Sequence, residues 1–390
     1  MKFRFKTLSL SLLCMLTFSG SHAADFVRAD SLINASISDG IVPGAVACVV
    51  KDGKVIYLKA YGNMQILPTS GQASDMTLPK PMIPDALFDM ASCTKVVVTT
   101  TAILQLYERG LVDLGAPVGR YLKEFEGQDV TVTDLLTHTS GIKWGWSSFF
   151  KKVLHSELGD DPARELTLWL ADPVNRKPRA TVFKYSCANF FLLQLMVERI
   201  TGERICDYAQ KNIFDRLGMK DSYFFTEGCV FPEGVFPRIV AGNVRKATGR
   251  VDDDFAWVAM HGNAGNAGLF STAQDLAIFV SALMNGGANG HGRILKARTV
   301  RMMAKVVDPR FGRAMGWDVC SSDKSLLKGH AMSPEAIVHG GHTGQMIAVD
   351  LKKKYAIILL ANRSHPNNKF YDQWQLRRVD IATCLGPDAR

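Results

Sequence analysis

The sequence predicts an α/β fold, in which helices flank an antiparallel sheet built from both ends of the chain around a mostly helical insert. Three observations lead to this class. Strand-like runs occur near both ends, helical periodicity dominates between them, and Asp52-Gly53 separates the first two runs as a hairpin turn does. The predicted strands span 45–50, 54–61, 315–320, 336–340, 346–350 and 355–360.

The helices are predicted from apolar residues that recur every three or four positions and from capping signals at their ends. Thr131 to Asp134 has the pattern of a capping box, and Gly202 follows a strong helix as a C-cap. The α/β part is predicted from about 24–90 and 300–390, and the mostly helical part from about 91–299. Predicted helices span 26–38, 97–109, 161–171, 190–200, 205–217, about 272–284 and 369–383.

Residues 1–23 have the pattern of a secretory signal peptide. Three basic residues precede a short apolar run over 8–18, and Ser21-His22-Ala23 provides a suitable cleavage site. We therefore expect cleavage after Ala23 and a periplasmic or secreted mature protein. The apolar run is too short for an ordinary membrane span, and no other stretch is long and apolar enough, so no transmembrane span is predicted.

Composition excludes several classes of partner and cofactor. The 390 residues carry a net charge of +9 that is spread along the chain, with no basic block, so nucleic-acid binding is not expected. Seven cysteines would remain after cleavage, without metal-type spacing, and at least one free thiol is expected. No metal or other cofactor is predicted, since no helical metal pair occurs among histidines 138, 261, 330, 339 and 342. The oligomeric state stays open.

A serine and a lysine three positions apart open the first long helix after the N-terminal strands. On a helix Ser92 and Lys95 share one face, where a neutral lysine amine can remove the serine proton and create a nucleophile. In a second reading, Ser92 caps the helix and Lys95 is a solvated first-turn residue. Four other serines have a lysine at this spacing but begin no long apolar helix: Ser140, Ser148, Ser321 and Ser325.

Two further segments follow this pair in an order typical of a known family. The three are Ser92-Cys93-Thr94-Lys95, Tyr185-Ser186-Cys187 and His342-Thr343-Gly344. Together they resemble the motifs of the serine β-lactamase and penicillin-binding protein family, in its class C-like branch. Segment 251–275 is most similar to the penicillin-binding protein 4B type of D,D-carboxypeptidase. The resemblance implies a β-lactamase/transpeptidase-like fold over residues 24–390.

The resemblance also implies acyl transfer at Ser92. Ser92 would attack a carbonyl, Lys95 would accept its proton, and Tyr185 would share this proton and pass it to the leaving group. Either Lys95 or Tyr185 could be the base, and Tyr185 could instead be a packed aromatic residue. A neutral Lys95 would need apolar or cationic surroundings that lower its pKa. The backbone N–H groups of Ser92 and Gln345 would form the oxyanion hole.

The other motif residues are expected to bind the substrate. His342 stands where the family usually has lysine, and with the Thr343 hydroxyl it would orient a substrate carboxylate, beside Gly344 and Gln345. The other reading makes His342 a strand-edge residue in a tight bend. Cys187 replaces the Asn or Asp that grips the substrate amide in the family, and a thiol is a weak hydrogen-bonding group. Recognition of an amide is therefore expected to be weakened.

Four functions remain open from these residues. The first is a penicillin-binding, D,D-carboxypeptidase-like hydrolase of D-Ala-D-Ala peptides, with a peptidoglycan peptide or another small molecule as its substrate. The second is an esterase on the same machinery, because esters are easier to acylate from than amides. The third is a class C-like β-lactamase, which must also deacylate quickly. The fourth is a non-enzymatic sensor that is acylated and stalls.

Overall fold

Strands from the two ends of the chain form one sheet. The computed structural model describes residues 26–142, 161–226, 228–229, 231–322, 325, 327 and 332–387, so the predicted signal peptide lies outside the described residues. The strands are β1 (Gly44–Lys51), β2 (Lys54–Gln65), β3 (Lys80–Pro81), β4 (Phe88–Asp89), β5 (Ser222–Phe224), β6 (Leu269–Ser271), β7 (Asp318–Val319), β8 (Ile337–Gly340), β9 (Met346–Asp350) and β10 (Tyr355–Ala361). The main sheet has the order β3-β2-β1-β10-β9-β8-β7, and neighbouring strands are antiparallel.

This arrangement confirms the predicted antiparallel sheet and places β1 and β10, the first long strand and the last, side by side. The predicted hairpin between β1 and β2 is present, and both of its turn residues have positive φ, 49° at Asp52 and 76° at Gly53. That backbone twist matches the twist of the flanking strands, which explains why an Asp-Gly pair is favoured there. Seven residues of β1 pair with β10, from Ala45 opposite Ala361 to Lys51 opposite Tyr355.

Helices cover both faces of the main sheet and fill the middle of the chain. The α-helices are α1 (Val27–Ser38), α2 (Thr101–Glu108), α3 (Val132–Thr137), α4 (Pro162–Ala171), α5 (Cys187–Thr201), α6 (Ile205–Ala209), α7 (Asp215–Leu217), α8 (Asp254–Val258), α9 (Ala273–Met284), α10 (Ala297–Met303) and α11 (Tyr371–Cys384). The predicted capping box at Thr131 and Asp134 is present in both directions. The helix predicted over 205–217 is instead three short pieces, because residues Gln210–Phe214 adopt a π-helical turn.

Alternate residues of β1 point into two different cores. From Ala45 to Val49, odd-numbered residues pack with Ile33 of α1 and Trp374 of α11. From Val46 to Val50, even-numbered residues belong to the larger core, which α9 and the central helices complete. The period of two along a strand therefore explains how one strand serves two layers of helix.

Two of the three strands of a second, smaller sheet lie in the part predicted to be mostly helical. It contains β4, β6 and β5 in that order, in antiparallel pairs of two or three residues. The sequence analysis did not predict it, because strands this short show no periodicity. The sheet supports the segment that follows β4, since the Met90 N–H donates to the Leu269 carbonyl of β6 at 2.8 Å. The position of Ser92 therefore depends on a strand that lies far along the chain.

Candidate active site

The serine segment turns sharply immediately after β4. Ala91 has a φ of +44°, which an alanine rarely adopts, and its N–H donates to Oδ1 of Asp89 at 2.8 Å. The second Asp89 oxygen accepts the Asp252 N–H at 2.7 Å, so one carboxylate joins two separate loops. Burial, together with the negative charge of Asp252, raises the pKa of Asp89 to about 7. A π-helical stretch, Lys95–Thr100, follows the turn, as is common at functional sites.

Ser92 and Lys95 form a close pair. Lys95 Nζ lies 3.0 Å from Ser92 Oγ and 2.9 Å from the carbonyl oxygen of Asn266, and Lys95 is 0% exposed. The reading of Lys95 as a solvated first-turn residue is therefore wrong. A buried amine at hydrogen-bonding distance from a serine hydroxyl is the geometry of an activated nucleophile.

Tyr185 and Cys187 complete this group from the segment that begins α5. The Tyr185 ring lies 5.1 Å from Lys95 Nζ, and Tyr185 lines the same cavity as Ser92. The Tyr185 residue is 41% exposed because its ring forms a wall of an open cavity. Cys187 Sγ lies 3.5 Å from Lys95 Nζ in the same cavity. The structure thus brings together the first two predicted segments.

Asn189, a carboxamide two residues after Cys187, does not line the cavity. It is buried one turn into α5, where its Oδ1 accepts the Ser140 hydroxyl at 2.7 Å and its amide nitrogen lies 3.2 Å from His138 Nδ1. These contacts hold Asn189 in the core. Asn189 therefore does not stand beside Cys187 and Lys95 in the cavity.

The surroundings of Lys95 differ from the apolar or cationic environment that the sequence analysis expected. Burial by itself lowers the pKa of Lys95, but negative charge on Cys187, Tyr185 and Asp253 outweighs it and raises the pKa above its ordinary value. Burial also raises the pKa of Cys187 and of Tyr185, so both groups are neutral near pH 7 and contribute no negative charge there. The protonation state of Lys95 therefore depends on whether Cys187, Tyr185 and Asp253 carry charge.

Only part of the third predicted segment, His342-Thr343-Gly344, faces the cavity. His342 lines the cavity, where its ring stacks on Tyr371 with 5.3 Å between centroids. Thr343 and Gln345 are buried behind the cavity wall, where the Thr343 hydroxyl and the Gln345 amide both donate to the Asp89 carbonyl at 2.8 Å. Gly344 has a φ of +123° and packs against Ala361. These three residues therefore do not face the cavity. The predictions that Thr343, Gly344 and Gln345 contact the substrate, and that the Gln345 N–H stabilises an oxyanion, do not fit the structure.

His339 is the histidine that faces the serine segment. It sits near the end of β8, its ring lies 6.2 Å from the Tyr185 ring, and its carbonyl accepts a hydrogen bond from the Cys93 thiol. Burial and the positive charge of Lys95 hold the pKa of His339 well below its usual value, so the imidazole is neutral.

An open cavity of about 650 Å³ lies in front of Ser92. Charged side chains of both signs line it, and the sequence analysis did not single them out because they come from four separate segments. They are Lys246, Asp252, Asp253, Asp254, Arg313, Asp318 and Arg378. Asp253 also caps α8 and lies 3.5 Å from the Asn266 amide, which places it next to the carbonyl that holds Lys95.

The sheet flanked by helices and the buried lysine beside a serine define a β-lactamase-fold hydrolase. The model of the Beta-lactamase family matches residues 29–380, and this chain belongs to that family. Within it, a protein of Escherichia coli O157:H7, provisionally named a D-alanyl-D-alanine carboxypeptidase, is 27% identical over 365 residues, which cover 86% of this chain and 82% of that protein.

Two further comparisons show how widely the fold is used. An N-acetylmuramyl-L-alanine amidase of Bacillus subtilis strain 168 is 28% identical over 368 residues, with 87% of this chain and 81% of that protein covered. The structure of the simvastatin synthase of Aspergillus terreus superposes with a TM-score of 0.71 at 19% identity, covering 93% of this chain and 98% of that chain. Proteins with this fold therefore carry names for quite different substrates, and the substrate has to be argued from the site.

Proposed function

We propose that this protein is an exported serine hydrolase that forms an acyl-enzyme at Ser92 and cleaves D-Ala-D-Ala peptides. The observation that carries the proposal is the 3.0 Å contact between Ser92 Oγ and the fully buried Lys95 Nζ. Export is proposed from the pattern of residues 1–23, which lie outside the described residues.

In the proposed reaction, Ser92 Oγ attacks the carbonyl carbon of the scissile amide, and its proton moves to Lys95 or Tyr185. The tetrahedral intermediate collapses as the C–N bond breaks, and the Tyr185 hydroxyl delivers a proton to the leaving amine. Water then attacks the acyl-enzyme by the same proton route in reverse. The Ser92 N–H would stabilise the oxyanion, and the turn at Ala91, which brings Ala91 and Ser92 to the cavity wall, supports this role.

The names of the relatives support a substrate from the cell wall. The Escherichia coli relative is named for D-alanyl-D-alanine and the Bacillus subtilis relative for N-acetylmuramyl-L-alanine, and both units belong to peptidoglycan. An open cavity of about 650 Å³ suits one end of a flexible peptide. Both observations fit hydrolysis of a peptidoglycan stem peptide.

An esterase is the second candidate, and Cys187 favours it. The thiol stands 3.5 Å from Lys95, where it offers only a weak hydrogen bond to a substrate amide, and Asn189 is held in the core. An ester has no N–H to recognise and acylates more readily than an amide. The same nucleophile would then act on a wider range of acyl groups.

Intact-mass analysis after exposure to acyl-D-Ala-D-Ala peptides, β-lactams and activated esters tests the proposal. We expect the wild-type protein to release D-alanine and to gain the mass of one acyl group from slow substrates. Ser92→Ala should gain no mass and should lose several powers of ten in rate. Ser140→Ala is the matched control, because Ser140 has the same spacing to a lysine but lies buried against Asn189. Acylation of the Ser92→Ala variant at an equal rate would exclude the mechanism, and turnover of esters alone would favour the esterase.

A further inference from the structure

Tyr185 lies in a stretch of chain that belongs to no helix or strand. This stretch, residues 182–186, leads directly into α5. The Tyr185 side chain is open to the cavity, and its ring lies 5.1 Å from Lys95 Nζ. A group that carries a proton between Ser92 and a leaving group has to be held in place within hydrogen-bonding reach of both. The contacts that fix the backbone around Tyr185 therefore matter for the reaction.

His138 holds the residues on both sides of Tyr185. Its backbone carbonyl accepts the Lys184 N–H at 3.0 Å, and its ring nitrogen Nδ1 accepts the Ser186 N–H at 3.2 Å. The imidazole also packs against the Tyr185 ring, with 4.5 Å between the centroids and 39° between the planes. One residue thus contacts the backbone before Tyr185, the backbone after it and the Tyr185 ring.

The state of the imidazole fits the contact with Ser186. A backbone N–H can only donate, so Nδ1 of His138 has to be unprotonated to accept it. Burial and the positive charge of Arg313 hold the pKa of His138 well below its usual value, so the ring is neutral near pH 7. His138 is 1% exposed and does not line the cavity, so it can act on the reaction only through its neighbours.

The end of α3 does not by itself require a histidine. His138 is the residue that ends this helix, and it has a φ of +59°. Glycine, and less often asparagine, is usual at a left-handed helix end, because these residues adopt that conformation at the lowest cost. The imidazole therefore supplies something that the helix end does not need, and the structure shows it as the acceptor for the Ser186 N–H.

We propose that His138 is a positioning residue for acyl transfer, which fixes Tyr185 by holding the backbone on both sides of it. This inference rests on the proposed function, because it requires Tyr185 to carry a proton in the reaction at Ser92. It does not depend on whether the substrate is a peptide or an ester.

Leucine and asparagine at position 138 form a matched pair for the test. Both are smaller than histidine and lack its ring, but only asparagine places an acceptor where Nδ1 lies. The substrates are diacetyl-L-lysyl-D-alanyl-D-alanine and the methyl ester of diacetyl-L-lysyl-D-alanine. On both, kcat of His138→Leu should be at least about tenfold below that of His138→Asn, with KM changed less than about threefold, because proton transfer and not binding is affected.

A double-mutant cycle shows whether His138 acts through Tyr185. Tyr185→Phe keeps the ring and removes the hydroxyl, and it should lower kcat by about 10²–10⁴-fold. In this background there is no proton carrier left to position, so adding His138→Leu should lower kcat by less than about threefold more. A role confined to the stability of the fold would give the same tenfold loss in both backgrounds.

His261→Leu is the control for exchanging histidine and leucine at a positive φ. His261 has a φ of +49°, is exposed and does not line the cavity, so this variant should keep the wild-type kcat. If His138→Leu does not fold, His138→Gly takes its place in both comparisons, because glycine suits the backbone and also lacks the acceptor.

Equal kcat values for His138→Leu and His138→Asn would overturn the inference, as would a full tenfold loss in the Tyr185→Phe background. If the methyl ester gives the expected pattern but the peptide is not cleaved, the carboxypeptidase proposal fails while the role of His138 stands. Cleavage of the peptide without this pattern would keep the proposed function and remove the role of His138.

Discussion

Replacing Thr94 with valine should loosen the link between the serine segment and the small sheet. Thr94 lies between Ser92 and Lys95 in the chain, is 0% exposed, and its Oγ1 accepts the N–H groups of Gly268 and Leu269, both at 3.1 Å. Valine has nearly the same shape but no acceptor, so two buried N–H groups lose their partner. Each such loss costs about 1–3 kcal/mol, and the free energy of unfolding should therefore fall by about 2–6 kcal/mol.

Urea denaturation measures this change as a lower midpoint at an unchanged slope. Thr94→Ser is the control, because it keeps the oxygen and removes one methyl group, for which we expect a loss of about 1 kcal/mol. Acylation at low urea should also slow in Thr94→Val, since the serine and lysine flank the changed residue. A Thr94→Val protein within about 0.5 kcal/mol of wild type, or one no less stable than Thr94→Ser, would contradict this prediction.

Three further predictions concern labelling, pH and backbone strain. A bulky maleimide should inactivate the protein by reaching Cys187 in the cavity, and Cys187→Ser should resist it. Because burial raises the pKa of this thiol, the reaction should speed up steadily as the pH rises above 7. Inactivation of the variant at the same rate would mean that another residue reacts. Burial holds the pKa of His138 well below its usual value, so below pH 6.5 the folded protein binds fewer protons than the unfolded chain. The stability that is present above this pH is therefore lost on acidification, by up to about 1.4 kcal/mol per pH unit. His138→Asn, which suits the φ of +59° and keeps an acceptor, should remove this histidine's share of the slope in denaturation series between pH 5 and 8, and an unchanged slope would contradict it. Gly316→Ala should lower the free energy of unfolding by more than about 3 kcal/mol, because a Cβ there would collide with the Thr100 hydroxyl. At Gly202 there is open space, so Gly202→Ala should lower it by about 1 kcal/mol through its positive φ alone. Equal melting temperatures for the two variants would rule out the collision.

The main sheet could be predicted because its strands are long and their residues alternate or are uniformly apolar. Five of the six predicted strands coincide with observed ones within a few residues, and 315–320 is reduced to the two-residue β7. The small sheet could not be predicted, since two or three residues carry no detectable period and the partners in the β4–β6 pair are more than a hundred residues apart. Pairing of this kind depends on how the chain is brought together rather than on local pattern.

In the candidate site, too, contacts within one segment could be predicted and contacts between distant segments could not. Ser92 and Lys95 meet because helical spacing over three residues is local, so the sequence predicted their contact. His342 was assigned to the site because it precedes Thr343-Gly344, whereas the structure shows that His339, near the end of β8, faces the serine segment. Arg313 was not considered, since nothing near it in the chain marks a charged residue that will be buried in the cavity wall.

The fold class, the family and the serine–lysine pair could be predicted from the sequence, because they depend on periodicity and on spacing within single elements. The tertiary structure was needed to show which histidine faces the serine and that Thr343 and Gln345 lie behind the cavity wall. The physical reason is that burial and partnership arise between segments distant in the chain. A side chain's charge and hydrogen bonds follow from those neighbours, and the sequence order does not show them.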